Sequence, residues 1–304
     1  MQISTMQKGW FSLQIFIDFD CLGHQTCLSS YYKHSDTERR FFMLTGKTAL
    51  VTGSTSGIGL GIAKALAAQG ATLILNGFGD HEGPAQEVQS AAQTAGYQTR
   101  NGYHGADLSK AAEIEAMMAY AQAEFGGVDI LVNNAGIQHT AAIEQFPTDK
   151  WDAILAINLT SSFHTTRLAL PGMRTKNWGR IINLSSVHGL VASKEKAAYV
   201  AAKHGLVGFT KVTALETALT PITCNAICPG WVLTPLVQKQ IDARSLSEGT
   251  DQATTIKNML SEKQPSQQFV TPADIGAMAV FLCSAAGNNI RGESLGMNGG
   301  WTAQ

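Results

Sequence analysis

Three side chains whose types suit proton and hydride transfer lie within one short part of the chain. The apolar run 180–184 has the pattern of a buried strand, and Ser185 and Ser186 follow directly at its end. Tyr199 and Lys203 come later, four residues apart, which places both on one face of a predicted helix. A hydroxyl, a phenol and an ammonium group in this arrangement predict chemistry in which a substrate oxygen exchanges a proton while hydride moves.

A glycine-rich turn predicts the dinucleotide site that such chemistry needs. The apolar run 47–52 is followed by Gly53, Gly57 and Gly59 and then by an Ala- and Leu-rich helix. In this arrangement the first glycine permits a tight turn and the second lets the backbone approach a pyrophosphate. The third glycine lets helix and strand pack closely. Free N–H groups at the start of the helix would face the phosphates.

The end of the second predicted strand, 71–76, bears on the choice between NAD and NADP. An acid there would bind the ribose hydroxyls, and a nearby Lys or Arg would accept a 2′-phosphate. The strand instead continues into a Gly-Phe-Gly-Asp run at 77–80, and the glycine turn itself carries Ser54, Thr55 and Ser56. Since no basic residue stands at either place, NADP lacks its usual anchor and NAD is favoured by elimination.

The alternation of strands and helices along the whole chain predicts the fold. Apolar strand patterns occur at 47–52, 71–76, 98–104, 128–132, 180–185, 222–228 and 293–297. Helical patterns occur at 60–69, 84–95, 110–125, 148–174, 197–218 and 272–284, and in the polar segment 235–263 with a break near Glu248 and Gly249. We expect a Rossmann-like, doubly wound, seven-stranded parallel sheet with helices on both faces, in a single domain.

Local signals within these elements give further expectations. Thr148 is expected to cap the helix that follows it, and Pro171 to interrupt that helix. Thr271 and Pro272 have the pattern of an N-cap followed by a first-turn proline. Asp107, after the third strand, is predicted to accept the adenine amino group or to cap the next helix, and both roles are compatible.

Composition narrows the class of protein. The 304 residues, of which 44% are hydrophobic, suffice for one large core. A net charge of −1 gives no electrostatic case for nucleic acid or for an acidic membrane surface. No apolar run reaches the ~18 residues of a membrane span. The cysteines show no paired spacing, which favours a reducing, cytoplasmic location, and no metal site is predicted.

Together these motifs resemble the short-chain dehydrogenase/reductase family. The resemblance rests on TGxxxGIG at 52–59, NNAG at 133–136, Ser186, YxxxK at 199–203 and PG at 229–230, and it covers residues 43–304. It implies that Tyr199 is the catalytic acid/base, that Lys203 activates it and binds the ribose, and that Ser186 polarises the substrate. Asn158 would hold a proton-relay water.

The physics of a phenol agrees with those roles. A free phenol has a pKa of about 10, too high for a base near neutrality. A cation within ~4–6 Å lowers such a pKa by roughly 1–3 units, and Lys203 and the oxidised nicotinamide ring are both positive. Ser186 would then donate a hydrogen bond to the oxygen on which charge develops.

The resemblance also implies a set of residues in contact with NAD, with Asn134 and Gly136 on the nicotinamide side. The full predicted set is Gly53, Thr55, Ser56, Gly57, Ile58, Gly59, Phe78, Asp107, Leu108, Asn134, Gly136, Tyr199, Lys203, Pro229, Gly230, Val232 and Thr234.

Two residues beside the catalytic set indicate an anionic substrate. His188 follows Ser186 by two positions, so an extended chain would point both to one side. Lys196 precedes Tyr199 by three, so Lys196, Tyr199 and Lys203 would form one helical stripe. Because Lys203 already serves catalysis, the second cation at Lys196 suggests a substrate that carries a negative charge.

Within the family, stretches such as NNAGIQHTA, HGLVAS and SEKQPS resemble the bacterial members that oxidise 3-hydroxybutyrate. This implies NAD-dependent, reversible oxidation of (R)-3-hydroxybutyrate to acetoacetate by a homotetramer. The substrate carboxylate would bind Gln138, His188, Lys196 and Gln240, in a pocket with Ser186 and Tyr199. Trp231 and Trp301 would close on the apolar end, and residues 235–263 would form a mobile lid that carries Gln240.

Two other readings stay open at this stage. A family member with a different substrate, such as a 3-oxoacyl-carrier-protein or sugar reductase, would keep the same catalytic residues. A non-catalytic, nucleotide-binding regulatory protein would keep the fold, although the intact Asn158, Ser186, Tyr199 and Lys203 argue against it. Residues 1–42 lack this patterning and are expected to be an appendage or an over-long start, with Met43 as the natural beginning.

Overall fold

The computed structural model describes residues 44–303, so the predicted appendage at 1–42 lies outside the described residues. Within this part of the chain one parallel sheet of seven strands forms the centre of the molecule. The strands are β1 (Thr48–Val51), β2 (Thr72–Asn76), β3 (Asn101–His104), β4 (Ile130–Asn133), β5 (Gly179–Leu184), β6 (Ile222–Pro229) and β7 (Ser294–Met297). Their order across the sheet is β3-β2-β1-β4-β5-β6-β7.

Helices connect the strands and cover the sheet. The α-helices of the described residues are α1 (Gly57–Ala67), α2 (Glu82–Thr94), α3 (Ala111–Phe125), α4 (Thr148–Leu155), α5 (Ser161–Thr175), α6 (Ala197–Glu216), α7 (Pro235–Glu248), α8 (Gln252–Ser261) and α9 (Pro272–Cys283). In the same part of the chain, short 3₁₀ turns occupy Ile143–Gln145, Val187–Gly189 and Ala285–Asn289, and a π-helical turn spans Ala156–Thr160. None of the helices in residues 44–303 is long and apolar enough to cross a membrane.

The strand side chains alternate between two buried layers, which confirms the doubly wound arrangement. In β1, Ala49 and Val51 pack in a cluster with residues of α1, α2 and α9. Leu50, between them, packs on the opposite face with residues of α3 and α5. Because both faces are covered, the strands read as continuous apolar runs rather than as alternating ones.

The helix predicted for 148–174 differs from the observed one at two points. Thr148 is the first residue of α4 and follows Pro147, and its side chain makes no capping hydrogen bond, so the predicted cap is wrong. Pro171 lies inside α5, which runs unbroken to Thr175, because a proline removes only one donor from the helical ladder. The interruption is instead the π-helical turn at 156–160, where one extra residue enters the helix.

The helical break near Gly249 and the start of the last helix agree with the sequence. Gly249 separates α7 from α8 in the left-handed region, with φ of 65°, which a glycine adopts without strain. Thr271 accepts a hydrogen bond from Asp274 N, and Asp274 in turn accepts one from Thr271 N, so α9 begins with a complete capping box.

The sheet order locates the functional region. The chain leaves the β1 side after β3 and returns on the other side of β1 with β4. In an open parallel sheet, the crevice beyond the carboxyl ends of the strands at such a reversal is where ligands bind. The glycine turn after β1 and the Asn133–Gly136 segment after β4 both lie at this edge.

Candidate active site

The serine predicted to be catalytic lies in a tight turn rather than in an extended segment. Ser186 caps the 3₁₀ turn at 187–189, and its Oγ accepts a hydrogen bond of 3.2 Å from His188 N. The turn brings His188 Nδ1 to 3.5 Å from Ser186 Oγ. The two side chains therefore meet as predicted, but through a turn, and the expectation of an extended chain is wrong.

Helix α6 carries Tyr199 and Lys203 on one face. Lys203 Nζ lies 5.6 Å from the centre of the Tyr199 ring and donates a 2.6 Å hydrogen bond to Leu184 O, at the end of β5. Ser185 Oγ donates to Lys203 O at 3.0 Å, so both the side chain and the backbone of Lys203 connect the helix to the end of β5. These bonds fix the distance between the serine turn and the Tyr–Lys helix.

Burial controls the protonation of this pair. It raises the pKa of Tyr199 above its usual value, an effect only partly offset by the hydrogen bond from Ser186. Burial also lowers the pKa of Lys203 to about 8, although the nearby Cys228 opposes that shift. In the protein without ligand, Lys203 therefore does not bring the phenol into the neutral range, and the expectation that Lys203 and the oxidised nicotinamide ring together do so stays a prediction. A neutral phenol is the resting state.

Asn158 belongs to the π-helical turn and is buried. Its Oδ1 accepts from Ile137 N at 2.8 Å, and its Nδ2 donates to Ile137 O at 2.9 Å. The oxygen and the nitrogen of the Asn158 amide therefore both hold the main chain at Ile137. The preceding residue, Gly136, lies against the Asn158 side chain. The proton-relay water that the resemblance assigns to Asn158 stays a prediction.

A cleft of about 460 Å³ opens where the carboxyl ends of β1, β2 and β4 meet. Fourteen of the residues predicted to contact the cofactor line it: Gly53, Thr55, Ser56, Gly57, Ile58, Phe78, Asp107, Leu108, Asn134, Gly136, Tyr199, Lys203, Pro229 and Thr234. Gly230 and Val232 instead line the adjoining pocket described below, and Gly59 lies beneath the turn.

The glycines leave the room that a dinucleotide requires. Gly53 and Gly57 have φ of 62° and 55°, which shapes the turn before α1. A Cβ on Gly57 would lie 3.4 Å from Thr234 on the facing wall, so the glycine keeps the space above the helix N-terminus open. A Cβ on Gly59 would overlap Gly53 O, which confirms its role in close packing. The residues present thus fit a dinucleotide.

Asn76, at the end of β2, explains how the turn is held without the expected acid. Its Oδ1 accepts from Gly53 N at 3.3 Å, and its Nδ2 donates to His104 O and Ala106 O at 3.0 and 3.1 Å. Sequence reasoning did not single out Asn76, although an amide directly after a buried strand is a usable signal. Lys203 is the single basic residue, counting Lys and Arg, among the described residues that line the cleft.

Asp107 and Asn134 line the cleft and also brace its backbone. Asp107 Oδ1 accepts from Ser109 N and Ser109 Oγ at 3.0 and 2.7 Å, and these bonds lower its pKa. Since Lys110 holds the cap position of α3, the predicted capping role of Asp107 is wrong.

Asn134 Nδ2 donates to Thr52 O and Gly53 O at 2.8 and 3.0 Å, which ties β4 to the glycine turn.

A second, smaller pocket of about 140 Å³ adjoins the cleft at Tyr199. All eight residues predicted for the substrate line it: Gln138, Ser186, His188, Lys196, Tyr199, Trp231, Gln240 and Trp301. They come from six separate segments of the chain. Lys196 caps α6 with a non-helical backbone (φ −118°, ψ 33°), so the predicted helical stripe is wrong, although the side chain still reaches the pocket.

The walls of this pocket combine aromatic rings with one cation. The ring centres of Trp231 and Trp301 are 6.2 Å apart, and His188 lies 5.6 Å from Trp301. Lys196 Nζ lies 5.5 Å from the centre of the Trp231 ring. No ion pair joins Lys196 to a carboxylate of residues 44–303. A partly buried ammonium without a partner acid is an anion-binding feature.

Burial also sets the charge of the neighbouring groups. It lowers the pKa of Lys196, and with help from that ammonium it lowers the pKa of His188 to about 4. His188 is therefore neutral at physiological pH, and Lys196 supplies the positive charge of the pocket.

Gln264, which the sequence did not single out, supports the aromatic wall. The side chain is fully buried, and its Oε1 accepts from Trp231 N at 2.9 Å. Its Nε2 donates to Gln268 O. The amide thus connects the segment after α8 to the pocket wall. Arg244 pairs with Glu248 and Glu262 and so links α7 to the same segment.

Comparison with known proteins finds relatives over most of the chain. The family described as enoyl-(acyl carrier protein) reductase has a sequence model that matches residues 53–302. A D-beta-hydroxybutyrate dehydrogenase of Cupriavidus necator is 69% identical over 262 residues, which are 86% of this chain and 100% of that protein. A protein of the same name from Rhizobium meliloti is 49% identical over 260 residues, 85% of this chain and 99% of that protein.

The fold is also similar to solved structures. L-sorbose reductase from Gluconobacter frateurii, solved with NADPH and L-sorbose, superposes with a TM-score of 0.80 at 28% identity. The match covers 87% of this chain and 99% of the other.

Proposed function

The chain belongs to the short-chain dehydrogenase/reductase family, and from this premise we propose that it oxidises (R)-3-hydroxybutyrate reversibly to acetoacetate with NAD. One observation carries the choice of substrate. A pocket of about 140 Å³ joins Ser186 and Tyr199 to Lys196, a partly buried cation that has no partner acid in the described residues. Pockets for drug-sized ligands are roughly 300–1,000 Å³, so this one suits a short, negatively charged acid.

The chemistry follows from the positions of three side chains. NAD, held by the residues that line the cleft, would supply the hydride acceptor and a positive charge. With that charge added to Lys203, the Tyr199 phenol ionises and its oxygen takes the proton from the substrate hydroxyl. Ser186 donates its O–H to the oxygen of the substrate hydroxyl and holds that oxygen in place. Lys203, fixed on Leu184 O, keeps its charge beside the phenolate.

The remaining pocket residues orient the acid. We propose that Lys196 pairs with the carboxylate, that His188 and Gln138 donate hydrogen bonds to it, and that Gln240 joins them when the lid of α7 and α8 closes. A charge-assisted hydrogen bond is about twice as strong as a neutral one. Trp231 and Trp301 would enclose the methyl end. Lid closure would exclude water from the reacting oxygen.

The test of this function is NADH formation with (R)- and (S)-3-hydroxybutyrate, with (R)-2-butanol as the neutral substrate of similar shape. We expect turnover of the (R)-acid, little of the (S)-acid, and a much lower kcat/KM for the alcohol. Parallel assays of NADPH consumption with a 3-oxoacyl thioester test the alternative that the protein is a reductase. Preference for that pair over hydroxybutyrate and NAD would overturn the proposal.

We further propose that the enzyme acts in the cytoplasm as a homotetramer. The family relationship and the bacterial relatives support this, as do the buried free thiols of Cys224, Cys228 and Cys283. Light scattering after size-exclusion chromatography of the full chain measures the assembly, and a mass of one or two chains would contradict it.

A further inference from the structure

The His188 ring is held from two sides, and only one of these contacts belongs to the site described above. His188 Nδ1 lies 3.5 Å from Ser186 Oγ, and His188 Nε2 lies 2.9 Å from Ser193 Oγ. A neutral imidazole carries one N–H donor and one acceptor nitrogen. The residue that engages one nitrogen therefore decides what the other can do.

Ser193 is placed for this by a loop with its own anchor. The loop 190–196 joins the serine turn to α6, and Glu195 within it has a left-handed backbone with φ of 64°. Glu195 O accepts a 3.0 Å hydrogen bond from Ala141 N, which fixes the loop to the segment after β4. Within residues 44–303, Ser193 Oγ makes no other hydrogen bond, so its hydroxyl is available to His188.

We propose that Ser193 is a positioning residue that donates its O–H to His188 Nε2 and so keeps the ring proton on Nδ1, facing the substrate pocket. The proposal rests on the function proposed above, in which His188 donates to the substrate carboxylate. An Nδ1–H can make that bond, whereas a bare Nδ1 would repel the anion.

The surroundings of Ser186 point to the same tautomer. Ser186 Oγ already accepts from His188 N, and its single proton is needed at the substrate oxygen. A bare Nδ1 would compete for that proton, whereas an Nδ1–H leaves it free. Since burial keeps the ring neutral, with a pKa of about 4, the tautomer and not the charge of His188 is what Ser193 controls.

The test reads the tautomer directly in the full-length protein. Solid-state ¹⁵N NMR of histidine-labelled protein separates Nδ1–H from Nε2–H, and a His188→Asn variant assigns the signals. We expect Nδ1–H in the wild type, the same in Ser193→Thr, and a gain of Nε2–H in Ser193→Ala. An unchanged His188 spectrum in Ser193→Ala would overturn the proposal, because an imidazole held by the fold alone would not respond.

Kinetics then tests the consequence for the substrate. We expect Ser193→Ala to raise KM for (R)-3-hydroxybutyrate about three- to tenfold, the value of one hydrogen bond, with Ser193→Thr close to wild type. Ala192→Gly loosens the same loop without touching the ring, and it should leave both KM and the tautomer unchanged. A KM that is unaffected by Ser193→Ala despite the changed tautomer would refute the link to binding.

The two proposals fail in distinguishable ways. Lack of NADH formation with hydroxybutyrate in the wild type would overturn the proposed function, while the NMR result on Ser193 would stand or fall by itself.

Discussion

The cofactor cleft and the substrate pocket share Tyr199, but they are built differently. The cleft is formed largely by main chain at the carboxyl ends of strands, and the side chains of Asn76 and Asn134 brace that main chain. The small pocket is formed by side chains from separate loops, with Lys196 as its charge. The fold thus determines the first region, whereas individual side chains determine the second. A change in the pocket should alter substrate preference alone, and a change in the turn should alter stability and cofactor binding together.

The largest expected effect is at Tyr199, one of the residues that line both regions. Tyr199→Phe removes the proton acceptor and keeps the ring, so kcat/KM for hydroxybutyrate should fall by about 10²–10⁴. NAD binding, measured by fluorescence titration, should change little. An activity within tenfold of wild type would show that another group takes the proton.

Lys196 tests whether the pocket reads charge. Lys196→Met keeps the length of the side chain and removes the ammonium, so kcat/KM for hydroxybutyrate should fall about 10- to 100-fold, as expected for hydrogen bonds to charged groups. The kcat/KM for (R)-2-butanol should stay the same or rise. Lys194→Met, at an exposed position two residues away, is the control. Equal losses for acid and alcohol would mean that Lys196 does not bind the carboxylate.

The pH dependence of kcat/KM for hydroxybutyrate at saturating NAD reports the enzyme that holds NAD, in which the charge of the nicotinamide ring counteracts the rise that burial imposes on the pKa of Tyr199. Oxidation needs the phenolate, so kcat/KM for hydroxybutyrate should rise with pH, by about tenfold per unit below that pKa. Acetoacetate reduction needs the neutral phenol, which predominates below that pKa, so its kcat/KM should stay level with pH and fall only above the pKa. Above pH 8 the rise should weaken, since Lys203, with a pKa of about 8, loses its charge there. A flat pH profile of kcat/KM for the oxidation of hydroxybutyrate from pH 6 to 9 would contradict this prediction.

The glycine turn tests the other half of the comparison. Gly59→Ala places a methyl group against Gly53 O, and such overpacking costs about 1–3 kcal/mol. We expect a lower Tm and weaker NAD binding, both by calorimetry. Gly208→Ala, on α6 where a Cβ meets no atom within 4 Å, is the matched control and should leave Tm unchanged or raise it. Normal stability of Gly59→Ala would indicate that the turn is not tightly packed.

The smallest effect is expected at the lid. Gln240→Ala removes one neutral donor that reaches the acid when the lid closes, so KM should rise about three- to tenfold with kcat little changed. The exposed Lys239→Ala provides a control on the same helix. Unchanged kinetics for Gln240→Ala would remove Gln240 from the site.

The sequence predicts most of the fold because strand hydrophobicity and glycine spacing are local signals. Gly53, Gly57 and Gly59 mark the turn, and the spacing of Tyr199 and Lys203 marks one helical face. The serine turn was harder to foresee, since a spacing of two positions between Ser186 and His188 is compatible with an extended chain as well as with a 3₁₀ turn. The prediction that Thr148 caps α4 failed because Pro147 holds the N-cap position and Thr148 is the first residue of the helix.

Long-range contacts are what the sequence could not supply. Asn76 bonds to the glycine turn, to the last residue of β3 and to the segment after it, and Gln264 bonds to Trp231. Nothing near either residue in the chain indicates those partners. The protonation of Tyr199 was also beyond reach, because its pKa depends on how deeply the phenol is buried and not only on Lys203.

The π-helical turn at 156–160 has a consequence for how this chain tolerates insertions and deletions. Each helical residue turns the chain by about 100°, so the extra residue shifts the phase between α4 and α5. Ile154 and Asn158 face inward before the shift, and Thr165 and Thr166 do so after it. Deleting a single residue here would restore a regular helix and rotate Asn158 away from Ile137. Length, and not only residue identity, is therefore under constraint at this point of the chain.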